Sequence, residues 1–167
     1  MTSRVFHLLL CLSLILVLTA HAAEPVPTLQ GMVTWIYDGD TLEIDSVGTV
    51  RLIGIDVPEK KGSIRDRYLA DKGVLPARQR QAYLAAKEFN INQVKGRKVS
   101  MALDEPTRDR YGRLLAYVYL PDGRLLNRLL VEQGLAVVYK RFSFRMKADF
   151  LAAEELARKN KRGLWAK

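Results

Sequence analysis

Carboxylates stand beside two neighbouring apolar segments, and they are the residues with the clearest capacity for chemistry. Asp40 precedes one predicted strand, and Asp56 and Glu59 follow the next. If the two strands pair as a hairpin, their far ends meet, and the acids then converge although like charges repel. Carboxylate oxygens gathered in this way suit a hard cation such as Ca²⁺. The cation of Arg51 in the same hairpin indicates that the substrate is anionic.

The same stretch also permits a plainer interpretation. Asp38-Gly39 is a common turn signal, and carboxylates at strand ends are usually solvated. Arg51 and Asp56 stand five positions apart, which strict alternation places on opposite faces of a strand. They can share a site only if the strand bends or ends near Gly54, where a glycine permits it.

Three arginines surround an aromatic residue in the segment 108–113, which reads Arg-Asp-Arg-Tyr-Gly-Arg. Guanidinium groups bind phosphate oxygens in pairs, and the glycine allows a close approach of the backbone. The segment is therefore a candidate phosphate cradle. A solvated basic turn is the alternative.

Residues 1–22 have the pattern of a secretory signal. Arg4 supplies the positive start, residues 5–20 are largely apolar, and Ala20-His21-Ala22 matches a small-x-small cleavage site. We expect cleavage after Ala22, with retention as a membrane anchor as the alternative. The protein would then be secreted or periplasmic.

Loss of that segment would remove the only cysteine, Cys11, and both histidines, His7 and His21. Disulfides, Cys/His zinc sites, Ser-His-Asp triads, cysteine nucleophiles and histidine bases are then excluded. Catalysis would have to use carboxylates, Arg, Lys, Tyr, hydroxyls or a metal held by oxygen.

Length and charge favour one soluble domain with a polyanionic partner. The chain has 167 residues, of which 49% are apolar and 27% charged, values typical of globular proteins. The formal net charge of +9 points first to nucleic acid and second to an anionic membrane surface.

The order of predicted elements is that of a five-stranded OB-type barrel with a helix between the third and fourth strands. A sandwich and a mixed α+β sheet remain alternatives. A polar loop is predicted over 60–76, and the segment 136–144 is ambiguous. We predict a linker at 23–30 and one domain at 31–167. The predicted strands are 31–37, 41–45, 49–55, 97–103 and 113–120, and the predicted helices are 76–92, 125–133 and 145–161.

Three motifs, in order and at the expected spacing, resemble those of the thermonuclease (staphylococcal nuclease-like) family. They are Asp38-Gly39-Asp40-Thr41, then Arg51 with Ile55-Asp56-Val57-Pro58-Glu59, and Asp109-Arg110-Tyr111-Gly112-Arg113 with Leu115-Ala116-Tyr117. The segment from Asn127 to Ala136 is also similar, so the resemblance covers about residues 31–165. It implies an α+β fold, a five-stranded OB-fold barrel with about three helices. It also implies a Ca²⁺-dependent nuclease that cuts DNA and RNA with little sequence specificity and leaves 3′-phosphates.

The resemblance also implies roles for particular positions. The metal would bind the carboxylates of Asp40 and Asp56 and the backbone carbonyl of Val57, where the best-known family member has threonine. Arg51 and Arg113 would grip the scissile phosphate, and Glu59 would take a proton from the attacking water or orient it. Arg110 and Tyr111 would contact the terminal phosphate of the nucleotide. Tyr139, or Phe142 in its place, would stack on the base.

We therefore expect an exported nuclease that acts as a monomer, without an obligate protein partner and without a membrane unless the signal segment is retained. A catalytically inactive nucleic-acid-binding module on the same fold is the first alternative. A basic envelope protein that binds anionic lipid or acidic polymers is the second.

Overall fold

The computed structural model describes residues 24–166 of the chain. The predicted signal segment 1–22, with Cys11 and both histidines, lies outside the described residues, as does Lys167.

Five strands close into a barrel, as the order of predicted strands indicated. Around the barrel the order is β1, β2, β3, β6 and β5, and β5 pairs back onto β1. The pairing of β3 with β6 is parallel, and the other pairings are antiparallel. The barrel strands are β1 (Leu29–Ile36), β2 (Thr41–Ile44), β3 (Gly48–Leu52), β5 (Lys98–Arg108) and β6 (Leu114–Tyr119).

Helices and two very short strands surround this barrel. They are α1 (Ile64–Ala70), α2 (Pro76–Val94), α3 (Leu126–Glu132), α4 (Lys147–Lys159), a 3₁₀ turn (Gly163–Trp165), β4 (Ile55–Asp56) and β7 (Val137–Val138). Helix α1 was not predicted, and it lies in the segment that was predicted to be a polar loop. Only Leu69 of its described side chains is buried, so the segment lacks the repeated apolar positions by which a helix is predicted.

The barrel interior is apolar because alternate strand residues face inward. Leu42, Ile44, Val50 and Leu52, on β2 and β3, are each at most 1% exposed. Removing such a side chain from water stabilises the fold by about 1.5–3 kcal/mol. Strand β6 is buried along its whole length, which is expected where helices cover the outer face of a sheet.

A buried amide fastens α3 to the barrel. The Nδ2 of Asn127 donates to the carbonyls of Ile53 and Ala116, at 3.0 and 3.1 Å. Its Oδ1 accepts the backbone N–H of Val118 at 3.0 Å. Since all three partners are backbone groups, this one side chain ties β6 and the residue that follows β3 to the helix.

Two strands extend beyond their predicted limits. Strand β1 begins at Leu29, inside the segment predicted as a linker, and the carbonyl of Pro25 accepts a hydrogen bond from the Tyr119 hydroxyl at 3.0 Å. Strand β5 continues to Arg108 and so delivers the chain directly to the basic segment at 109–113. Within residues 24–166, none of the helices has both the length and the apolar character that a membrane span requires.

Candidate active site

The β2–β3 hairpin places Asp40 beside Arg51. Thr41 lies opposite Arg51 in the antiparallel register, and the N–H of Leu52 donates to the Asp40 carbonyl at 2.8 Å. The Asp40 side chain is nearly fully buried. Its Oδ1 forms an ion pair with the Arg51 guanidinium and accepts the Thr41 hydroxyl at 3.2 Å. The pairing of β2 with β3 therefore places Arg51 beside the buried carboxylate of Asp40.

A bend at Gly54 brings Asp56 to the same guanidinium. Gly54 has a φ of +81°, and a Cβ there would lie 2.5 Å from the Phe144 ring, so both conformation and space require glycine. After the bend, the Arg51 Nη2 lies 2.9 Å from the Asp56 Oδ1 and 3.3 Å from the Ile55 carbonyl. Strand β3 thus ends before Gly54, as a site shared by Arg51 and Asp56 requires. Arg51 bridges the carboxylates of Asp40 and Asp56.

The turn that carries Asp40 is fixed from three sides. The Asp38 Oδ1 accepts the N–H of Asp40 at 3.0 Å. A Cβ on Gly39 would meet the Val57 side chain at 2.5 Å, so only glycine fits against it. From α2, the Asn90 Nδ2 donates to the Gly39 carbonyl at 2.9 Å. Since the turn cannot shift without breaking these contacts, Asp40 is held in place before any ligand binds.

The arginine turn, residues 109–113, is organised by one carboxylate. The Asp109 Oδ1 accepts the N–H groups of Tyr111 and Arg113 at 2.9 and 3.1 Å. Its Oδ2 lies 2.8 Å from the Arg113 Nε and 2.7 Å from the Nη2. Burial raises the pKa of Asp109, but the Arg113 side chain and these backbone donors outweigh it, so the pKa lies below its usual value.

The hydroxyl of Thr41 links the arginine turn to the β2–β3 hairpin. The Arg113 Nη1 lies 3.4 Å from the Oγ1 of Thr41, whose hydroxyl also contacts Asp40. The second guanidinium is therefore within reach of the acid–arginine pair on the hairpin, although it comes from a turn that is distant in sequence.

Tyr111 presents an exposed ring between two cations. Its side chain is 67% exposed, and its hydroxyl accepts a hydrogen bond from the Arg110 Nη2 at 2.6 Å. The guanidinium carbons of Arg110 and Arg113 lie 4.8 and 5.5 Å from the ring centroid. This surface of positive charge and aromatic area suits a phosphorylated ligand.

Both halves open onto one pocket of about 140 Å³. It is lined by Asp38, Gly39, Asp40, Arg51, Val57, Pro58, Glu59, Tyr111 and Arg113. Asp56 is not among these residues, but it contacts Arg51, which is. The pocket therefore collects Asp40, Arg51, Glu59 and Arg113, four of the five charged residues predicted from the sequence to act together, and Asp56 is the fifth.

The predicted base-stacking aromatics lie elsewhere. The Tyr139 N–H donates to the Gly54 carbonyl at 2.9 Å, and its ring centroid is 5.3 Å from that of Phe142. Phe142 packs in turn against Phe144 and the core. Neither residue is among those lining the pocket. The role of Tyr139 stays a prediction.

Sequence reasoning missed three supporting residues. Tyr83 on α2 is buried, and its pKa is raised first by burial and then by the negative charges of Asp38 and Glu59, two residues that line the pocket. Asn90 holds the Gly39 carbonyl from the same helix. Asp109 lay inside a recognised motif, where its alternation with arginines was the available signal. For Tyr83 and Asn90 the sequence offered no such signal.

The donor set fits a hard cation held by few protein ligands. The carboxylates of Asp40 and Asp56 meet at one guanidinium, and the N–H of Val57 lies 3.0 Å from the Asp40 Oδ2, which places that backbone against the acid. Carboxylate and carbonyl oxygens are the ligands that Ca²⁺ takes. Within residues 24–166, however, no three acidic, histidine or cysteine side chains are grouped to hold a metal.

Comparison with known proteins identifies the family. The family described as "Staphylococcal nuclease homologue" matches residues 49–167, well over half of the chain. The chain belongs to the staphylococcal nuclease family. The match confirms the resemblance stated from the motifs, although Asp40 precedes the matched range.

Relatives in this family carry nuclease names. An uncharacterized endonuclease of Escherichia coli O157:H7 is 35% identical over 141 residues, which is 83% of this chain and 78% of that protein. A thermonuclease of Staphylococcus hyicus is 31% identical, over 78% of this chain and 72% of its own. A thermonuclease of Staphylococcus intermedius is 37% identical, over 63% and 56% respectively.

Proposed function

We propose that this staphylococcal nuclease family member is an exported, Ca²⁺-dependent nuclease. It hydrolyses phosphodiester bonds of DNA and RNA with little sequence specificity and leaves 3′-phosphate and 5′-hydroxyl ends. The endonuclease and thermonuclease names of its relatives support the nuclease activity. The apolar run after Arg4 supports export. We expect a monomer that needs no protein partner.

The convergence of Asp40, Arg51, Glu59 and Arg113 on one pocket is the observation that carries this proposal. A phosphodiester is anionic, and its transition state concentrates charge on the phosphoryl oxygens. Enzymes lower such barriers by about 8–23 kcal/mol, whereas one preorganised donor supplies about 2.7–4 kcal/mol. Several charged groups must therefore act together, which explains why the fold brings them to one place.

Arg51 and Arg113 are proposed to neutralise the phosphoryl oxygens. In this structure Arg51 contacts Asp40 and Asp56, and Arg113 contacts Asp109. These carboxylates hold each guanidinium in position without substrate. An arriving phosphate would compete with these carboxylates for the guanidinium N–H groups, and Arg113 is also proposed to stabilise the leaving 5′ oxygen.

Glu59 is proposed to act on the attacking water. It lines the pocket together with both arginines, and its side chain is only partly exposed. A carboxylate at this place can accept a proton from the water or orient it toward phosphorus. General-base catalysis of this kind contributes about 10²–10⁴-fold to the rate.

Asp40, Asp56 and the carbonyl of Val57 are the proposed ligands of Ca²⁺. When bound, the ion supplies electrostatic stabilisation for the negative charge that accumulates on the phosphoryl oxygens. Arg51 already compensates both carboxylates, and few protein ligands are present, so we expect weak affinity, on the order of 10⁻⁴–10⁻³ M. Millimolar calcium outside the cell is sufficient for such a site.

Arg110, Tyr111 and Tyr139 are proposed as substrate contacts. The Tyr111 ring lines the pocket and lies against the guanidinium groups of Arg110 and Arg113, so a terminal phosphate bound there would meet both cations. Tyr139 is proposed to stack on the base. Since it does not line the pocket, the base would have to extend outside the pocket to reach it.

A catalytically inactive nucleic-acid-binding module is the second candidate. The ion pairs of Arg51 with Asp40 and Asp56 favour it, because a guanidinium engaged by two acids is less available to a phosphate. Such a module would retain DNA with strong salt dependence and leave it intact.

Digestion assays with and without calcium test the proposal. The purified protein should degrade plasmid DNA, single-stranded DNA and RNA in millimolar Ca²⁺, and a calcium chelator should stop it. Glu59→Gln should slow turnover by about 10²–10⁴-fold while filter retention of DNA stays nearly unchanged. Glu155→Gln, at an exposed position on α4, is the matched control and should change neither. Retention without cleavage by the unmodified protein would establish the binding module instead.

A further inference from the structure

A β-bulge turns an aromatic residue out of the barrel. Strand β1 pairs with β2 through Val33, Trp35 and Ile36, and its register shifts between Val33 and Trp35. Val33 and Ile36 are buried, whereas Trp35 is 53% exposed. Two residues further along, Tyr37 is 47% exposed. A bulge commonly redirects a side chain in this way, and here it leaves two large rings on the outer surface.

Lys87 of α2 and Lys95, which directly follows that helix, accompany these rings. The Lys95 Nζ lies 4.8 Å from the centroid of the Trp35 ring, a cation–π contact. The Lys87 Nζ donates to the Tyr37 carbonyl at 3.0 Å. We refer to Trp35, Tyr37, Lys87 and Lys95 together as the Trp35–Tyr37 face.

One acid, Glu43, contacts the Tyr37 ring through its hydroxyl. Its Oε2 accepts the Tyr37 hydroxyl at 3.2 Å and the Thr49 hydroxyl at 2.9 Å. Glu43 also lies opposite Trp35 in the register of β1 and β2. It therefore fixes the orientation of the Tyr37 ring, and two hydroxyl donors offset part of its charge.

The face adjoins the pocket along the chain. Tyr37 immediately precedes Asp38 and Gly39, both of which line the pocket. Consecutive Cα atoms are about 3.8 Å apart, so a chain bound in the pocket needs little length to reach the tyrosine. Trp35 stands two positions before Tyr37 and is likewise exposed.

We propose that the Trp35–Tyr37 face is a stacking platform for the single-stranded polynucleotide that continues beyond the bond held in the pocket. The rings receive successive bases, and Lys87 and Lys95 offset the charge of the backbone. The platform rests on the proposed function, since it extends the substrate site of the same nuclease. Because every base has a π-face, stacking of this kind tolerates any sequence.

A single-stranded polynucleotide fits this face better than a protein partner does. Exposed aromatic rings with adjacent cations are the means by which barrels of this type hold single strands. The net charge of +9 further favours an anionic chain.

Kinetics on long and short substrates test the platform. Trp35→Ala and Tyr37→Ala should each raise KM for a 20-nucleotide single-stranded DNA by about 5-fold to 150-fold, which is the usual range for loss of one base–aromatic stack. Neither variant should change kcat/KM for a dinucleotide, which is too short to reach the face. Trp35→Phe should recover part of the loss because it keeps a ring.

Matched controls separate the platform from general effects. Leu156→Ala removes an equally exposed apolar side chain on α4 and should change neither substrate. Equal losses on the dinucleotide and the long strand would assign Trp35 to the pocket or the barrel and overturn the platform. Unchanged kinetics on both the dinucleotide and the long strand would also overturn the platform.

Fluorescence tests the platform even if no cleavage occurs. The chain has two tryptophans, so Trp165→Phe leaves Trp35 as the sole reporter. A 20-nucleotide DNA with uncleavable linkages should quench this fluorescence strongly, and a dinucleotide should not. Absence of cleavage with quenching would refute the nuclease proposal alone, and absence of quenching would refute the platform.

Discussion

Asp40 and Arg51 on the β2–β3 hairpin are almost buried, whereas Tyr111 on the arginine turn is two-thirds exposed. The hairpin pair is enclosed by paired main chain, by Val57 and by α2. The turn depends on Asp109, and Thr41 is its contact with the hairpin.

The difference follows from what each half must hold. Two carboxylates close together repel, so the hairpin needs a buried cation and rigid backbone to keep them there. The arginine turn holds groups that water also solvates well, so one carboxylate is enough. The acidic side of the pocket, on the β2–β3 hairpin, is therefore built into the buried part of the fold. The basic side, on the arginine turn, lies at the surface next to it.

The largest expected effect is on stability, from Arg51→Met. Without the guanidinium between them, Asp40 and Asp56 would retain charge in a nearly buried site. We expect the free energy of unfolding to fall by about 3–5 kcal/mol, measured by urea denaturation. Adding Asp40→Asn to the same variant should restore part of it. A loss below about 1 kcal/mol would show that the acidic half does not depend on this ion pair.

Arg113→Met should separate activity from stability. Its side chain is partly exposed, so the free energy of unfolding should change by no more than about 1 kcal/mol. Cleavage should nevertheless fall by about 10²–10³-fold. Arg124→Met is the control, because Arg124 pairs with Asp122 at 2.7 Å in another exposed turn, and it should alter neither quantity. A loss of stability equal to that of Arg51→Met would contradict the comparison.

The smallest expected effect is in acid and belongs to Asp109. Its pKa is below the usual value in the folded protein, so the ionised carboxylate stabilises the fold above the unfolded pKa of about 3.9. That contribution is lost as pH falls through the lower folded pKa. Asp109→Asn should reduce the free energy of unfolding by about 1 kcal/mol at pH 6 and by less at pH 3, in urea titrations. A difference that is constant with pH would rule out this linkage.

Much of the fold was predictable because the signals are local. Period-two alternation on β2 and β3, the glycine at position 54 and the proline at the start of α2 each act within a few residues. The conflict between Arg51 and Asp56 could even be turned into a prediction, since only a bend at Gly54 reconciles the two. The structure contains that bend.

Other features depend on partners distant in sequence. Helix α1 and the pairing of β4 with β7 have too few residues to show a period. Strict alternation in β1 would place Trp35 on the same face as buried Val33, and the bulge reverses this. Asn90 holds the Gly39 carbonyl from a helix whose sequence shows only that it is a helix.

By itself, the sequence determined the residue types available for chemistry, the order of the strands and the arginine-rich motif, because these are properties of neighbouring residues. Only the tertiary structure decided that Thr41 links Arg113 to Asp40, that Asn90 holds the turn before β2, and that Trp35 and Tyr37 are both exposed. The reason is physical: barrel closure joins groups that are far apart along the chain, and no local pattern records which of them will meet.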